Sequence, residues 1–243
     1  MKLSSLIFCL LISTIGFGQK KLNRISIKHL TKNFYVCVSY GYPPDSDEPF
    51  PANSLFALTT KGVVLINTPW GDEQTQQLVD SVQKRFNKKI IFCVATHFHD
   101  DCIGGFNTLK RQGTKTYSSS KTYALAKKEN NALPQFTFAN DTTFTIGGVT
   151  LNTYYPGEGH TKDNIVVWLP QGNILFGGCL VKSLETNTQG YTLDANLTYW
   201  PAAIKNVQRR FPNISYVIPG HQGWQGGSRQ LTHTIQVIGK AQK

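Results

Sequence analysis

Residues 90–105 read IIFCVATHFHDDCIGG, and the reading of this stretch decides the architecture. The opening IIFCVAT is a short apolar, β-branched run that predicts a buried strand. Just before it, DEQTQQLVDSVQKRF (72–86) carries acids at its start, basic residues at its end and apolar side chains at Leu78, Val82 and Phe86, which predicts a helix. Further upstream lie RISIKHL, FYVCVSY, SLFALTT and GVVLINT, runs with strand-like alternation or β-branched content. Between the second and third of these, GYPPDSDEPFPAN (41–53) is rich in proline, glycine and acid and can form only a loop or an irregular hairpin.

Downstream, the helical pieces NTLKRQG and TYALAKKENN flank a short KTYSSS strand. A second β-rich half begins at QFTFANDTTFTIGGVTLNTYYPG and runs through NIVVWLP and NILFGGCLV. The chain closes with a helix in WPAAIKNVQRRF, a strand in SYVIPG and a last helix from Arg229. Strands followed by helices, twice over, predict two sheet-plus-helix halves packed sheet against sheet. That is a four-layer αββα sandwich of the α/β (α+β) class.

The chain has 243 residues, 40% hydrophobic and 16% charged, which allows a well-buried core and rules out bulk disorder. Its formal net charge of +11 favours anionic partners without choosing among them. The lysines are scattered and no aromatic-interleaved basic motif accompanies them, so no nucleic-acid surface is expected. The first residues, MKLSSLIFCLLISTIGFGQ, carry one early lysine, an apolar run from Leu6 to Phe17 and small residues at Gly16 and Gly18. They predict a cleaved secretory signal over 1–18 and one domain over 19–243. The apolar run is shorter than the roughly 20 residues of a spanning helix, and no other stretch suits a bilayer. The mature protein is therefore expected in an exported compartment, the periplasm in a bacterium. Cys9 leaves with the leader. The remaining cysteines are too few and too widely spaced for a disulfide framework, and Cys37 and Cys93 sit in apolar runs as buried, inert thiols.

The chemistry-bearing signal is His97-Phe98-His99-Asp100-Asp101, placed where a strand ends. In an extended segment, positions two apart point the same way, so His97, His99 and Asp101 can face one small volume. Neutral imidazole and carboxylate are standard zinc ligands. His160 lies in GEGHTKDN between two strands, Cys179 in LFGGC just past a strand, and His221 in VIPGH at the end of another. Each follows an apolar run and is flanked by glycine, which lets the backbone crowd a shared centre. Six ligands are too many for one tetrahedral zinc with an open position and suit two ions. His29 and His233 are assigned to packing.

HFHDD, GHTKDN, LFGGC and PGH, in this order, resemble the metal-binding motifs of the metallo-β-lactamase superfamily, and the cysteine at 179 narrows the resemblance to subclass B1. It covers residues 19–243. Position by position, it implies that His97, His99 and His160 bind a first Zn2+ and Asp101, Cys179 and His221 a second. Lys182, three residues after Cys179, matches the family lysine that grips the substrate carboxylate. Cys102 falls on a variable position and is a neighbour of the metals, not a ligand. GYPPDSDEPFPAN matches the substrate-covering flap, with Phe50 as an apolar contact. Two departures stand out: Tyr191 replaces an asparagine that assists the developing oxyanion, and Asn67 stands where aspartate is common.

The implied activity is hydrolysis of the amide bond of β-lactams (penicillins, cephalosporins, carbapenems), conferring antibiotic resistance. A zinc-bound hydroxide oriented by Asp101 would be the nucleophile, and no covalent acyl-enzyme is required. The partner is thus a small molecule, and the protein is expected to act as a monomer without a membrane span. Two alternatives remain open on sequence: another metal-dependent hydrolase of the same fold, acting on thioesters, lactones or phosphodiesters, and an exported zinc-binding protein without activity.

Overall fold

The computed structural model describes residues 24–43, 46–139 and 141–240. The leader expected at 1–18 and the domain boundary at 19 lie outside them. In the first sheet, strands β1 (Ser26–Thr31), β2 (Phe34–Gly41), β3 (Phe50–Leu58) and β4 (Val63–Ile66) pair antiparallel in sequence order. Strands β5 (Ile90–Val94), β6 (Lys115–Ser119) and β7 (Phe136–Phe138) then add in parallel. The change of direction follows from the connections. Turns or a hairpin loop suffice to join the antiparallel strands, whereas parallel neighbours need crossovers. These are α1 (Gly71–Phe86), the pair α2 (Asp100–Ile103) and α3 (Phe106–Arg111), and α4 (Ser120–Lys128).

The second sheet runs antiparallel through β8 (Thr143–Ile146), β9 (Val149–Tyr154), β10 (Val166–Leu169) and β11 (Ile174–Gly178). Helix α5 (Trp200–Arg210) then returns the chain to β12 (Tyr216–Pro219), parallel to β11, and α6 (Arg229–Lys240) follows. Residue alternation sorts the layers. Val64, Ile66, Phe92 and Val94 face Val167, Leu169, Phe176 and Ile218 between the sheets. Val63, Leu65 and Cys93 turn outward onto Leu78, Val82, Phe106 and Leu109 of the first helices. Val166, Leu175 and Val217 turn outward onto Trp200, Ile204, Leu231 and Ile238. This is the predicted αββα sandwich. Among the described residues no helix is long and apolar enough to cross a membrane.

The segment expected over 41–53 as a loop or an irregular hairpin lies in a hairpin, and β3 begins at Phe50, ahead of the strand expected from Ser54, pairing Pro51 with Tyr40. Proline withholds only its own N–H, and the ladder continues around it. The two sheets are tied together where their strands end. Asn53 donates from its side-chain nitrogen to the carbonyls of Pro219 (2.9 Å) and Gln222 (2.8 Å), and Ile165 N–H donates to Thr96 at 2.9 Å.

Candidate metal centre

The site is built where β5, β11 and β12 end and where β9 turns into β10. After β5 the chain is pinned from β4. Asn67, in the left-handed region at φ 58°, accepts from the Thr96 N–H at 2.8 Å and donates to Thr96 Oγ1 at 3.1 Å. The residues beyond are not extended as expected. Asp100 and Asp101 open helix α2, with His99 as its N-terminal flank. The chain curls because α2 is seated on α1, so tightly that a Cβ on Gly105 would lie 1.9 Å from Thr75 Oγ1. His97 and Asp101 therefore meet as an i, i+4 pair, Nε2 to Oδ1 at 3.7 Å.

Two triads result. His99 Nδ1 lies 3.2 Å from His97 Nε2 and 3.2 Å from His160 Nε2. Cys179 Sγ lies 3.2 Å from Asp101 Oδ2 and 3.2 Å from His221 Nε2, and the last two atoms are 3.3 Å apart. A tetrahedral zinc with bonds of about 2.0–2.3 Å sets its ligand atoms roughly 3.3–3.6 Å apart, close to the three contacts of the Cys179 triad and the two that His99 Nδ1 makes, and the histidine atoms all lie within 4.8 Å of one another. His99 Nδ1 faces two nitrogens and has at most one proton to offer, so a hydrogen-bond network alone leaves this triad unsatisfied. The structure thus brings together all six predicted ligands. Glycine makes the second triad possible: a Cβ on Gly220 would stand 2.3 Å from Cys179 Sγ.

Outer contacts orient the rings. His221 Nδ1 meets the Pro51 carbonyl at 2.7 Å, and Cys102 Sγ lies 3.2 Å from His97 Nδ1. His99 Nε2 lies 2.9 Å from Asp194 Oδ2. Sequence reasoning passed over Asp194; the only signal was an acid in LDAN, in the loop beyond Lys182. His29 bonds Lys32 O in its own turn, and His233 bonds Thr186 O at 2.7 Å, bracing that same loop from α6.

The electrostatics suit a cation. Burial pushes the Asp101 carboxyl up, but the hydrogen bond from His221 and the charges of His97 and His221 hold it well below the usual carboxylate range. A hydrogen bond from the Cys102 thiol outweighs burial and takes the Cys179 thiol well below its usual value. Burial depresses His97 and His221, yet Cys179 and Asp101 prevail and raise them to about 9 and about 10. Burial and the neighbouring His97 keep His160 well below the usual imidazole value.

Both triads open onto a cavity of about 560 Å³ walled by Tyr42, Phe50, Trp70, Lys182 and Tyr191 among others. Phe50 packs on the His221 ring at 5.0 Å and Tyr191 stands edge-on to His99 at 5.6 Å. Lys182 is 8% exposed, its Nζ 5.1 Å over the Trp200 ring. Burial lowers its pKa, against the pull of Cys179 and Asp101.

Comparison with known proteins agrees. Residues 47–221 match the family described as the metallo-beta-lactamase superfamily. The chain is 43% identical over 214 residues to metallo-beta-lactamase type 2 of Bacillus cereus, covering 88% of this chain and 82% of that protein. It is 37% identical over 228 residues to the type 2 enzyme of Elizabethkingia meningoseptica, covering 94% and 90%. The solved metallo-beta-lactamase from Pontibacter korlensis superposes with a TM-score of 0.85 at 40% identity, covering 89% of this chain and 99% of that one. The chain belongs to the metallo-beta-lactamase superfamily and, within it, to subclass B1.

Proposed function

We propose that the protein is an exported, zinc-dependent β-lactamase that hydrolyses the amide bond of β-lactam antibiotics and so confers resistance to them. The observation that carries this reading is the pair of triads, the histidine atoms within 4.8 Å of one another and the Asp101, Cys179 and His221 atoms 3.2–3.3 Å apart, on the floor of a cavity that also presents one buried amine, Lys182. His97, His99 and His160 would hold one zinc, and Asp101, Cys179 and His221 a second. When bound, zinc polarises a carbonyl and lowers the pKa of water from about 15.7 towards about 7, near-neutral nucleophile chemistry.

The chain's own residues supply the rest. Asp101 is held ionised between the triads and accepts a hydrogen bond from the attacking water, which fixes the direction of attack. Lys182 pairs with the carboxylate common to β-lactams, and this places the ring amide over the triads. The Tyr191 phenol supplies a hydrogen-bond donor for the carbonyl oxygen as charge develops on it. Phe50 and Trp70 form the apolar wall against which the substrate's side chains pack and from which water is displaced. The names of the relatives, all metallo-beta-lactamases, support this substrate class. The working unit is a monomer in the periplasm.

The test is hydrolysis of a chromogenic cephalosporin and a panel of penicillins and carbapenems by the purified protein. Activity is expected to vanish with a chelator and to return with zinc. Faster cleavage of a thioester than of any lactam would instead point to another hydrolase of this fold.

A further inference from the structure

Beyond its contact with the His97 ring, Cys102 has no part in the proposed catalysis. Cys102 is fully buried, with Sγ 3.2 Å from His97 Nδ1 and 3.7 Å from Thr96 Oγ1. Its sulfur, that of Cys179, a nitrogen of His97 and an oxygen of Asp101 all lie within 4.8 Å of one another. Disulfide sulfurs are about 2.05 Å apart, so the two sulfurs, already within 4.8 Å, have at most a few ångströms to close. Cys37 and Cys93 have no such neighbour in a cluster among the described residues and lie packed in the helix-facing core.

We infer that Cys102 is a resolving thiol, which in the metal-free centre captures an oxidised Cys179 as a Cys102–Cys179 disulfide. The oxidant is a hydroperoxide, small enough to enter the cavity. The Cys179 sulfur attacks the O–O bond of hydrogen peroxide; an S–O bond forms, one water leaves, and Cys179 becomes a sulfenic acid. The Cys102 sulfur then attacks Cys179; the S–S bond forms, the S–O bond breaks, and hydroxide departs with the Cys102 proton as a second water. Two thiols are oxidised and one peroxide is reduced to two waters. Without Cys102, the sulfenic acid is open to irreversible sulfinic and sulfonic stages. Zinc on Cys179 would occupy the sulfur that starts the sequence, a point that rests on the proposed ligand set.

The experiment strips the purified protein with a chelator, adds hydrogen peroxide, blocks remaining thiols and reads intact mass and non-reduced peptides. The wild type is expected to lose two hydrogens, to yield a Cys102–Cys179 crosslinked peptide, and to regain zinc uptake after treatment with a dithiol. Cys102→Ser, first shown to take up zinc before oxidation, is expected to gain two or three oxygens on Cys179 and to stay unable to bind zinc after the dithiol. Cys102→Ala serves as the second variant should the serine disturb the fold. A wild type that gains the same oxygens as the variants, or a crosslink mapping to Cys37 or Cys93, overturns the inference. If the Cys102–Cys179 crosslink forms as fast with zinc present as without, the resolving role stands and the assignment of Cys179 as a zinc ligand fails.

Discussion

The Nε2 nitrogen of His99 lies 2.9 Å from Oδ2 of Asp194, and this contact turns the other ring nitrogen toward both His97 and His160. A carboxylate behind a metal-binding imidazole fixes its tautomer and raises its basicity. Asp194→Ala is therefore expected to weaken zinc binding by the histidine triad on the order of 10- to 100-fold. Competition against a chromophoric chelator measures this. The Asp194 side chain is 39% exposed, so the melting temperature of the metal-free protein should hardly move. An unchanged zinc affinity would remove Asp194 from the centre.

What the sequence disclosed and what it concealed have separate physical origins. The layers were legible because strands such as Val63–Ile66 and Ile90–Val94 are apolar on both faces, which only a sheet covered on two sides explains. The six residues of the two triads were legible because His, Cys and Asp at strand ends beside glycine have few other reasons to be there. The helical turn at Asp100–Ile103 was not, since its cause is α1 packing beneath Gly105, a contact made across the fold. Asp194 was equally hidden. Its partner is His99, far away in sequence, and a solvent-facing acid in a polar loop carries no periodic signal.

Gly220 is the position where the backbone itself limits the second triad. A methyl there would overlap Cys179 Sγ at 2.3 Å, so either the sulfur or the His221 turn must shift. Gly220→Ala should thus lower zinc stoichiometry from two to one, read by elemental analysis after dialysis, while the histidine triad keeps its ion. Retention of two zincs at full affinity would show that the crowding is relieved at no cost.

Proton release offers a check on the charge balance. His97 and His221 are raised to about 9 and about 10 by Cys179 and Asp101 against the opposing effect of burial. Both therefore carry a proton at neutral pH, which an incoming cation must displace. A raised pKa makes the proton a stronger competitor at low pH, so zinc affinity should climb as pH rises from 7 through 9 and level off near 10. Calorimetric titrations at pH 7 in buffers of different ionisation enthalpy should count about two protons released when both sites fill. Release near zero would contradict the raised values.

Asn67 occupies a place where an acid is the common family choice, and its two hydrogen bonds say what an acid would change. Its carbonyl oxygen takes the Thr96 N–H, which a carboxylate does equally well, but its amide donates to Thr96 Oγ1. With Asn67→Asp the hydroxyl can reverse and donate, so both hydrogen bonds are kept, at the cost of burying the new carboxylate. Asn67→Ala leaves the buried Thr96 N–H without an acceptor and should cost about 1–3 kcal/mol. Urea unfolding of the metal-free proteins separates the two, and equal losses would show that the side-chain volume, not the hydrogen bond, matters.

Lys182 is the last group whose role separates binding from chemistry. Its ammonium is buried over Trp200 in the cavity wall, where it can hold a substrate carboxylate equally in the ground and transition states. An interaction of that kind lowers KM without raising kcat. A hydrogen bond between charged groups contributes about 1.5–3 kcal/mol, so Lys182→Ala should raise KM roughly 10- to 100-fold and leave kcat near its original value. The partner on the substrate is tested by the same variant. A lactam whose carboxylate is esterified should lose its KM advantage on the wild type and show little further loss on Lys182→Ala, because one missing charge makes the other idle. If the ester and the acid suffer equally from the substitution, Lys182 acts through the cavity's shape, and the carboxylate is gripped elsewhere.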